Sequence, residues 1–518
     1  MFQSNGRSEA WHAYRRCRVK ENSVIIIGAG VAGLSAGCYA QMNGFCTRIF
    51  EMHTRPGGLC TSWNRNGYNI NGGVHTLVGC AKQSDFYQVW KELGALQGRR
   101  FEDYEDYICF EGTDGRSVTL HSDIDKLEEH LLIVAPEDSA LITEFIKGAR
   151  RCLGFNPPIL KAPELYGPIE GLRVLFKLLP HLGLLRKWFA VSMREFSTRF
   201  KSPLLRELFA DLWFPDTPIY FFMIALSMLH QKTSGYPLGG SFEFSQSIEH
   251  RYRDLGGQCH YGSRVSKILV ENKRAVGIKL EDGTEHRADY VISAADGHTT
   301  IFKMLEGRFL NKKIRGYYED HPIFPPLIYI SLGLKQTFDL GLGNSTGVSF
   351  PVKEPLIIAG EKITRLGFRI HNFDSSAAPP GKTLVKIMLP SNMTYWEPFS
   401  RDEQRYQAEK ERIIDRVVAM IDKRFPGVVD LIEMRDMATP LTYVRYTGNW
   451  QGSHQGWMIT HKTGLYQIKN RLPHLKNFFM AGHWAFAGGG VPSAALSARN
   501  VVQILCKQNR MPFITTVP

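Results

Sequence analysis

What this chain lacks narrows its function before any motif is read. Its nine cysteines (Cys17, Cys38, Cys46, Cys60, Cys80, Cys109, Cys152, Cys259 and Cys506) are scattered and form no CxxC pair. No metal site or disulfide framework is therefore expected, and a reducing compartment is. No uninterrupted apolar run reaches the ~18 residues that a bilayer-spanning helix needs. Met1 to Lys20 has no apolar core and sets Arg7, Arg15, Arg16, Arg18 and Lys20 against Glu9 alone, so residues 1–21 read as a basic N-terminal tail and not as a secretion signal. The expected location is cytoplasmic, with attachment to a membrane surface. Zinc-finger spacing and RNP aromatic motifs are missing, so nucleic acid is not an expected partner. Composition is that of a globular protein, with 43% hydrophobic and 22% charged residues, and the net charge of +13 suits an anionic membrane surface.

The most informative stretch is SVIIIGAGVAGLSAGCYAQMNGFCTRIFEMHTRPGGLC, residues 23–60. Val24 to Ile27 reads as a strand that enters a turn at Gly28, Gly30 and Gly33, and a small-residue helix follows from Val31 to about Met42. A second strand, Cys46 to Phe50, ends on Glu51, close to the spacing of ~20 residues at which an acid meets ribose hydroxyls. Gly28 permits the tight turn, Gly30 lets backbone approach a pyrophosphate, and Gly33 lets the helix pack closely on the strand. The pyrophosphate then meets free N–H groups and the positive end of the helix dipole. The pattern predicts a dinucleotide site.

Downstream, TSWNRNGYNINGGVHTLVG contains Gly67, Gly72, Gly73 and Gly79 and reads either as a loop against a flat ligand or as a glycine-rich hairpin. Its His75 faces a ring or caps a turn. Phe101 to Leu120 alternates like strand. Asp123 to about Gly154 is spaced like helix, with Asp123 as its cap. Gly171 to Arg206 carries Leu172, Leu175, Phe176, Leu179, Leu184, Leu185, Trp188, Phe189, Met193 and Phe196 at helical spacing, interrupted at Pro180, with eight basic residues against the single acid Glu195. A basic amphipathic helix of this kind fits a membrane surface, and a helical cap with a solvated basic face is the other reading. The apolar stretch from Phe214 to Leu229 is expected to line a hydrophobic interior.

A second glycine-rich region, residues 235–296, predicts a helix from Ser241 to Leu255 ended by Gly256 and Gly257, and then strands at Val265–Val270, Ala275–Leu280 and Tyr290–Ser293 with a turn at Asp282-Gly283. It holds no second GxGxxG, so a dedicated NAD(P) domain is not expected. Strands at Leu327–Leu334, Thr364–Ile370 and Leu384–Leu389 and a helix from Asp402 to Arg424 suggest a sheet forming one wall of a substrate cavity. Near the C-terminus, Phe478 to Met480 leads into Gly482, and HWAFAGGGVPSAALSARN gives glycines, Pro492 and a helix. One site made from both chain ends is the economical explanation.

These segments, GAGVAGLSAG, EMHTRPGG, GGSFEFSQSIEHRYRDLGGQCHYGSRVSKI, TPLTYVRYTGNWQGSHQGW and FFMAGHWAFAGGGVPSAALSARN, resemble the phytoene desaturase family of FAD-dependent oxidoreductases, whose relatives include carotenoid cis-trans isomerases and retinol saturases. The resemblance implies an α/β fold with a Rossmann-type FAD-binding domain built from residues 22–110, 235–310 and 455–507, a helical, membrane-associating cap at 111–234 and an α+β substrate domain at 311–454. It implies FAD held by Gly28, Gly30, Val31, Ala32, Gly33, Glu51, Met52, Arg55, Gly57, Gly58, Leu59, Gly73, Val74, His75, Val265, Gly482, His483, Gly490, Val491 and Pro492. His483 stands where many relatives carry a carboxylate. No residues recommend themselves as a catalytic acid–base pair. The implied substrate is a long apolar polyene or isoprenoid changed at a carbon-carbon bond, with polyene isomerisation without net redox change, or oxidation of an amine or natural-product intermediate, as alternatives.

Overall fold

The computed structural model describes residues 22–155, 159–212, 214–464 and 470–518. The basic tail lies outside the described residues. The chain folds as a mixed α/β protein around a five-stranded parallel sheet ordered Gln258–His260, Cys46–Phe50, Ser23–Ile27, Tyr290–Ser293 and Phe478–Met480. Val24 to Ile27 are all buried, as a continuous apolar run in a sheet covered on both faces requires. The first helix, Val31–Met42, is buried at every one of its 12 residues, because its Ala, Gly and Ser side chains let the helices Gly240–Asp254 and Gly490–Gln508 close on it.

Beside this sheet, Val265–Glu271, Arg274–Leu280 and Glu285–Arg287 form an antiparallel meander turning at Asp282-Gly283, where Gly283 has φ +90° and Thr284 N–H donates to Asp282 Oδ1 at 2.8 Å. A seven-stranded sheet runs in the order Ile432–Ala438, Leu327–Leu334, Thr383–Pro390, Glu361–Ile370, Gly347–Ile358, Asp106–Glu111 and Ser117–His121. One face packs Ile328, Ile330, Val385, Ile387 and Phe368 with Ile413, Ile414, Val417 and Ile421 of the Glu403–Arg424 helix, which Asp402 caps. Period-2 alternation leaves the other face to Tyr329, Ser331, Lys386 and Arg369.

Three expectations need correction. The boundary drawn at 110/111 falls inside the Asp106–Glu111 strand, which pairs in parallel with Gly347–Ile358, so the 106–121 hairpin joins the seven-stranded sheet. Pro180 does not interrupt its helix, which runs unbroken over Pro168–Trp188. The 171–206 stretch is also not one amphipathic surface. Leu184, Trp188, Met193 and Phe196 are cap core together with Phe145, Phe209 and Phe222, and the apolar residues left outside all precede Leu184. The helix Ile219–His230 gives Ile219, Tyr220, Phe222, Met223 and Leu226 to the same cap core, a hydrophobic interior as the sequence suggests.

Candidate nucleotide and substrate site

The glycine turn follows the central parallel strand, and each glycine answers to a different contact. Gly28 sits at φ +96° with its N–H donating to Phe50 O at 2.8 Å, which fastens the turn to the second strand. A Cβ on Gly33 would lie 1.8 Å from Gly28 O, so helix and turn touch there. A Cβ on Gly30, by contrast, would have no neighbour nearer than Gly57 O at 3.8 Å, and Gly30 has an ordinary extended φ of −70°. No protein atom demands glycine at position 30, which leaves the backbone there open to close approach by a ligand. The Val31–Met42 helix begins with no side-chain cap and no acid in its first turn, which leaves N–H groups for an anion.

Glu51 is 7% exposed at the end of the second strand. Its Oε2 accepts from Ala29 N at 2.6 Å and its Oε1 from His53 N at 2.8 Å. Burial raises its carboxyl above the usual range, against the lowering by those N–H groups. Lone pairs remain for ribose hydroxyls. Gly57 N donates to Ala29 O at 2.9 Å, which lays the 55–58 loop across the turn, and a Cβ on Gly58 would lie 3.4 Å from Gly30 Cα. Arg55 sits 5.3 Å over the Phe242 ring, and Met52 and Leu59 are half-buried. Ser263 N donates to Glu51 O at 2.8 Å, so the strand that opens with buried Val265 starts beside the acid.

The chain's far end closes on the same place. Gly482 lies beside Ala32, with 3.4 Å between an added Cβ and Ala32 Cβ. Gly488, Gly489 and Gly490 all have positive φ, and the Gly490–Gln508 helix that follows has Pro492 in its first turn. His483 Nε2–H donates to Gly490 O at 3.0 Å, and burial holds the ring below the usual imidazole range. The neutral ring therefore keeps Nδ1 as its acceptor.

The glycine loop after residue 60 is in part a hairpin, Ser62–Arg65 with Tyr68–Asn71, and in part a loop pressed on the 59–60 backbone. Gly73 has no room for a Cβ, which would lie 2.8 Å from Ser241 Oγ, and Val74 N donates to that hydroxyl at 2.6 Å. The His75 ring stacks on Tyr329 at 6.1 Å. Burial, then Lys386 and Arg369, hold it well below the usual imidazole range. His75, Arg369, Tyr443, His454 and His483 are each half-buried.

Sequence reasoning missed Lys386, Arg369 and His371, which lie together at the inner face of the seven-stranded sheet. A lysine inside the apolar strand TLVKIMLP was the available signal, since lysine is almost never fully buried without a partner.

Residues 31–506 match the family described as flavin containing amine oxidoreductase, and the chain belongs to it. Among curated proteins the chain is similar to the chloroplastic prolycopene isomerase of Arabidopsis thaliana, with 24% identity over 91% of this chain and 80% of that protein. It is also similar to the 4,4'-diapophytoene desaturase (4,4'-diapolycopene-forming) of Methylomonas, with 24% identity over 95% and 96% of the two chains. Among solved structures, an oxidoreductase from Methanosarcina mazei superposes with a TM-score of 0.55 at 18% identity, covering 93% of this chain and all of that one, which is a likeness of fold. The protein is thus a flavin-dependent oxidoreductase with FAD as its cofactor. The open approach at Gly30, the uncapped helix and the buried Glu51 fit that cofactor.

The glycines give a separable prediction. Gly30→Ala should fold with an unchanged melting temperature but bind FAD about tenfold or more weakly. Gly33→Ala should lose stability by about 1–3 kcal/mol from overpacking, even without added FAD. Thermal melts and flavin titration of the two variants check both.

Proposed function

We propose that the protein desaturates or saturates a carbon-carbon bond of a long apolar polyene or isoprenoid, using FAD bound at the junction of the two chain ends. The carrying observation is similarity over nearly the whole chain to a desaturase and an isomerase whose names specify polyene substrates. In this reading, residues 28–33 with Glu51 and the 55–59 loop hold the ADP part, and Val265 packs by the adenine. Gly73 to His75, Gly482, His483 and residues 490–492 border the ring. The helix at Gly490 directs its dipole toward the ring. When bound, FAD accepts or supplies a hydride equivalent. The chain's own residues orient the substrate and exclude water. Phe214, Phe324 and His454 stack together at 5.1–6.0 Å, and burial holds His454 at about 4, hence neutral, so this part of the lining is aromatic and uncharged. The isomerase among the relatives favours a second reading, isomerisation of the polyene without net redox change.

Incubation of FAD-loaded protein with a polyene in vesicles, followed by mass spectrometry and acceptor consumption, tests this. The expected product differs from substrate by two hydrogens, with an equivalent of acceptor or donor consumed. An isomer of unchanged mass with no consumption selects the second reading, and no product from any polyene contradicts both.

We further propose a cytoplasmic location at an anionic membrane surface, reached through the Pro168–Trp188 helix. Ile169, Leu172, Leu175, Phe176, Leu179 and Leu182 form a stripe along it that stays exposed, Phe176 at 62%, while Leu184 and Trp188 anchor its end in the cap. Arg173, Lys177, Arg186 and Lys187 flank the stripe. No helix among the described residues is long and apolar enough to cross a membrane. A stripe of this kind lies in the interface, apolar side chains in the acyl boundary and cations at head groups. The double variant Leu172→Glu, Phe176→Glu should reduce co-sedimentation with anionic vesicles by about tenfold or more, since each large apolar side chain contributes about 1.5–3 kcal/mol when buried. Unchanged sedimentation would remove the membrane part.

A further inference from the structure

The inner face of the seven-stranded sheet carries charge that a purely hydrocarbon substrate would leave without use. The registers Ser331↔Lys386 and Lys386↔Arg369 place these three residues in one row across the middle of the sheet. Lys386 is 5% exposed. Among the described residues its one hydrogen-bond acceptor is the Asn71 carbonyl at 3.3 Å, with the rings of Tyr236 and Tyr329 at 6.0 and 5.9 Å. Neighbouring Arg369 lies between the Tyr104 and Tyr107 rings at 4.6 and 4.2 Å and donates to Tyr107 O at 3.0 Å. Neither cation has a carboxylate in contact. The acid that acts on Lys386, Asp374, has its Oδ1 occupied by Ser376 N at 3.0 Å and Ser376 Oγ at 2.7 Å.

His371 completes the arrangement. It is 2% exposed, and neither ring nitrogen has a hydrogen-bond partner. Buried polar groups of this kind are ordinarily satisfied, and buried cations are ordinarily paired. An ammonium and a guanidinium without a carboxylate partner, and an imidazole with no hydrogen-bond partner, gathered at the inner face of one sheet, share one missing chemistry: an anionic oxygen. The Asn71 carbonyl that Lys386 meets opens the loop of residues 71–75, so the cluster stands at the border between the cofactor-side loop and the substrate-side sheet.

We propose that Lys386 and His371, backed by Arg369, bind a carboxylate at the end of the substrate, which makes the substrate a long-chain polyene or isoprenoid acid and not a bare hydrocarbon. This rests on the oxidoreductase reading above and narrows its substrate class. A carboxylate has lone pairs enough for both Lys386 Nζ and a His371 N–H, and its charge restores the ammonium that burial disfavours. The apolar remainder of the chain then runs toward the aromatic lining at Phe214 and Phe324.

The test uses FAD-loaded full-length protein titrated with decanoate and with 1-decanol below micelle-forming concentrations, read by flavin absorbance and tryptophan fluorescence. Decanoate should bind the wild type at least about tenfold tighter than decanol, because hydrogen bonds to charged groups carry most of the difference. Lys386→Met should lose about 10- to 100-fold in decanoate affinity, with decanol affinity and FAD content unchanged. The wild type supplies a readout that needs no variant. The groups facing Lys386 are Arg369, Asp374, His75, His371, Tyr236 and Tyr329, and burial followed by Arg369 lowers its ammonium to about 7. Decanoate stays ionised above pH 6, so its affinity should hold from pH 6 to 7 and fall as pH rises above 7, while decanol affinity stays flat. A protein that holds FAD yet binds decanol as tightly as decanoate, with no effect of Lys386→Met, overturns the proposal alone. A protein that takes up no FAD overturns the flavin reading and the proposal with it.

Discussion

Parallel pairing at the centre of the molecule is the constraint on which the rest depends. The strands Cys46–Phe50, Ser23–Ile27, Tyr290–Ser293 and Phe478–Met480 run side by side in one direction, so Glu51, Gly28, Ala294 and Gly482 all emerge at the same edge. Backbone bonds lock that edge: Gly28 N to Phe50 O at 2.8 Å, Ala294 N to Ile27 O at 2.9 Å and Ala481 N to Ser293 O at 2.9 Å. Parallel α/β sheets bind ligands in the crevice beyond the carboxyl ends of their strands. Two helix N-termini, at Val31 and at Gly490, open onto this one.

How much of this was legible in the sequence follows from the range of the interactions. The glycine turn, the Asp123 and Asp402 helix caps and the Asp282-Gly283 turn are set within a few residues, where chain geometry leaves few choices, and they stand where the sequence suggests. The meeting of Gly482 with Ala32 was readable because strand, glycines and helix recur at both ends. The seven-stranded sheet was only partly readable. Its Gly347–Ile358 and Ile432–Ala438 strands carry charged and proline residues that weaken the alternation, and the membership of the 106–121 hairpin depends on pairing with residues more than 200 positions away. The split of residues 171–206 has the same cause. Apolar spacing marks a face but does not say whether protein covers it, and Phe145, Phe209 and Phe222 cover only its second half.

The sheet's inner face is where local and global signals diverge most. Ile387 and Val385 flank Lys386 and belong to the core packed on the Glu403–Arg424 helix. Alternation turns Lys386 the other way, into the interior beside Asn71. A lysine buried between Leu384 and Met388, on the face opposite that core, makes sense when it meets a ligand. The cofactor motif and the family therefore define the reagent.

The central claim is that residues from both chain ends close on a single FAD. Hydrogen exchange of the full-length apoprotein, followed by mass spectrometry as FAD is added, tests it most directly. The account predicts that amides in 28–33 and in 482–492 gain protection together, with the same FAD dependence and saturating at one FAD per chain. Protection confined to the N-terminal turn, with 482–492 unchanged at saturation, would contradict it.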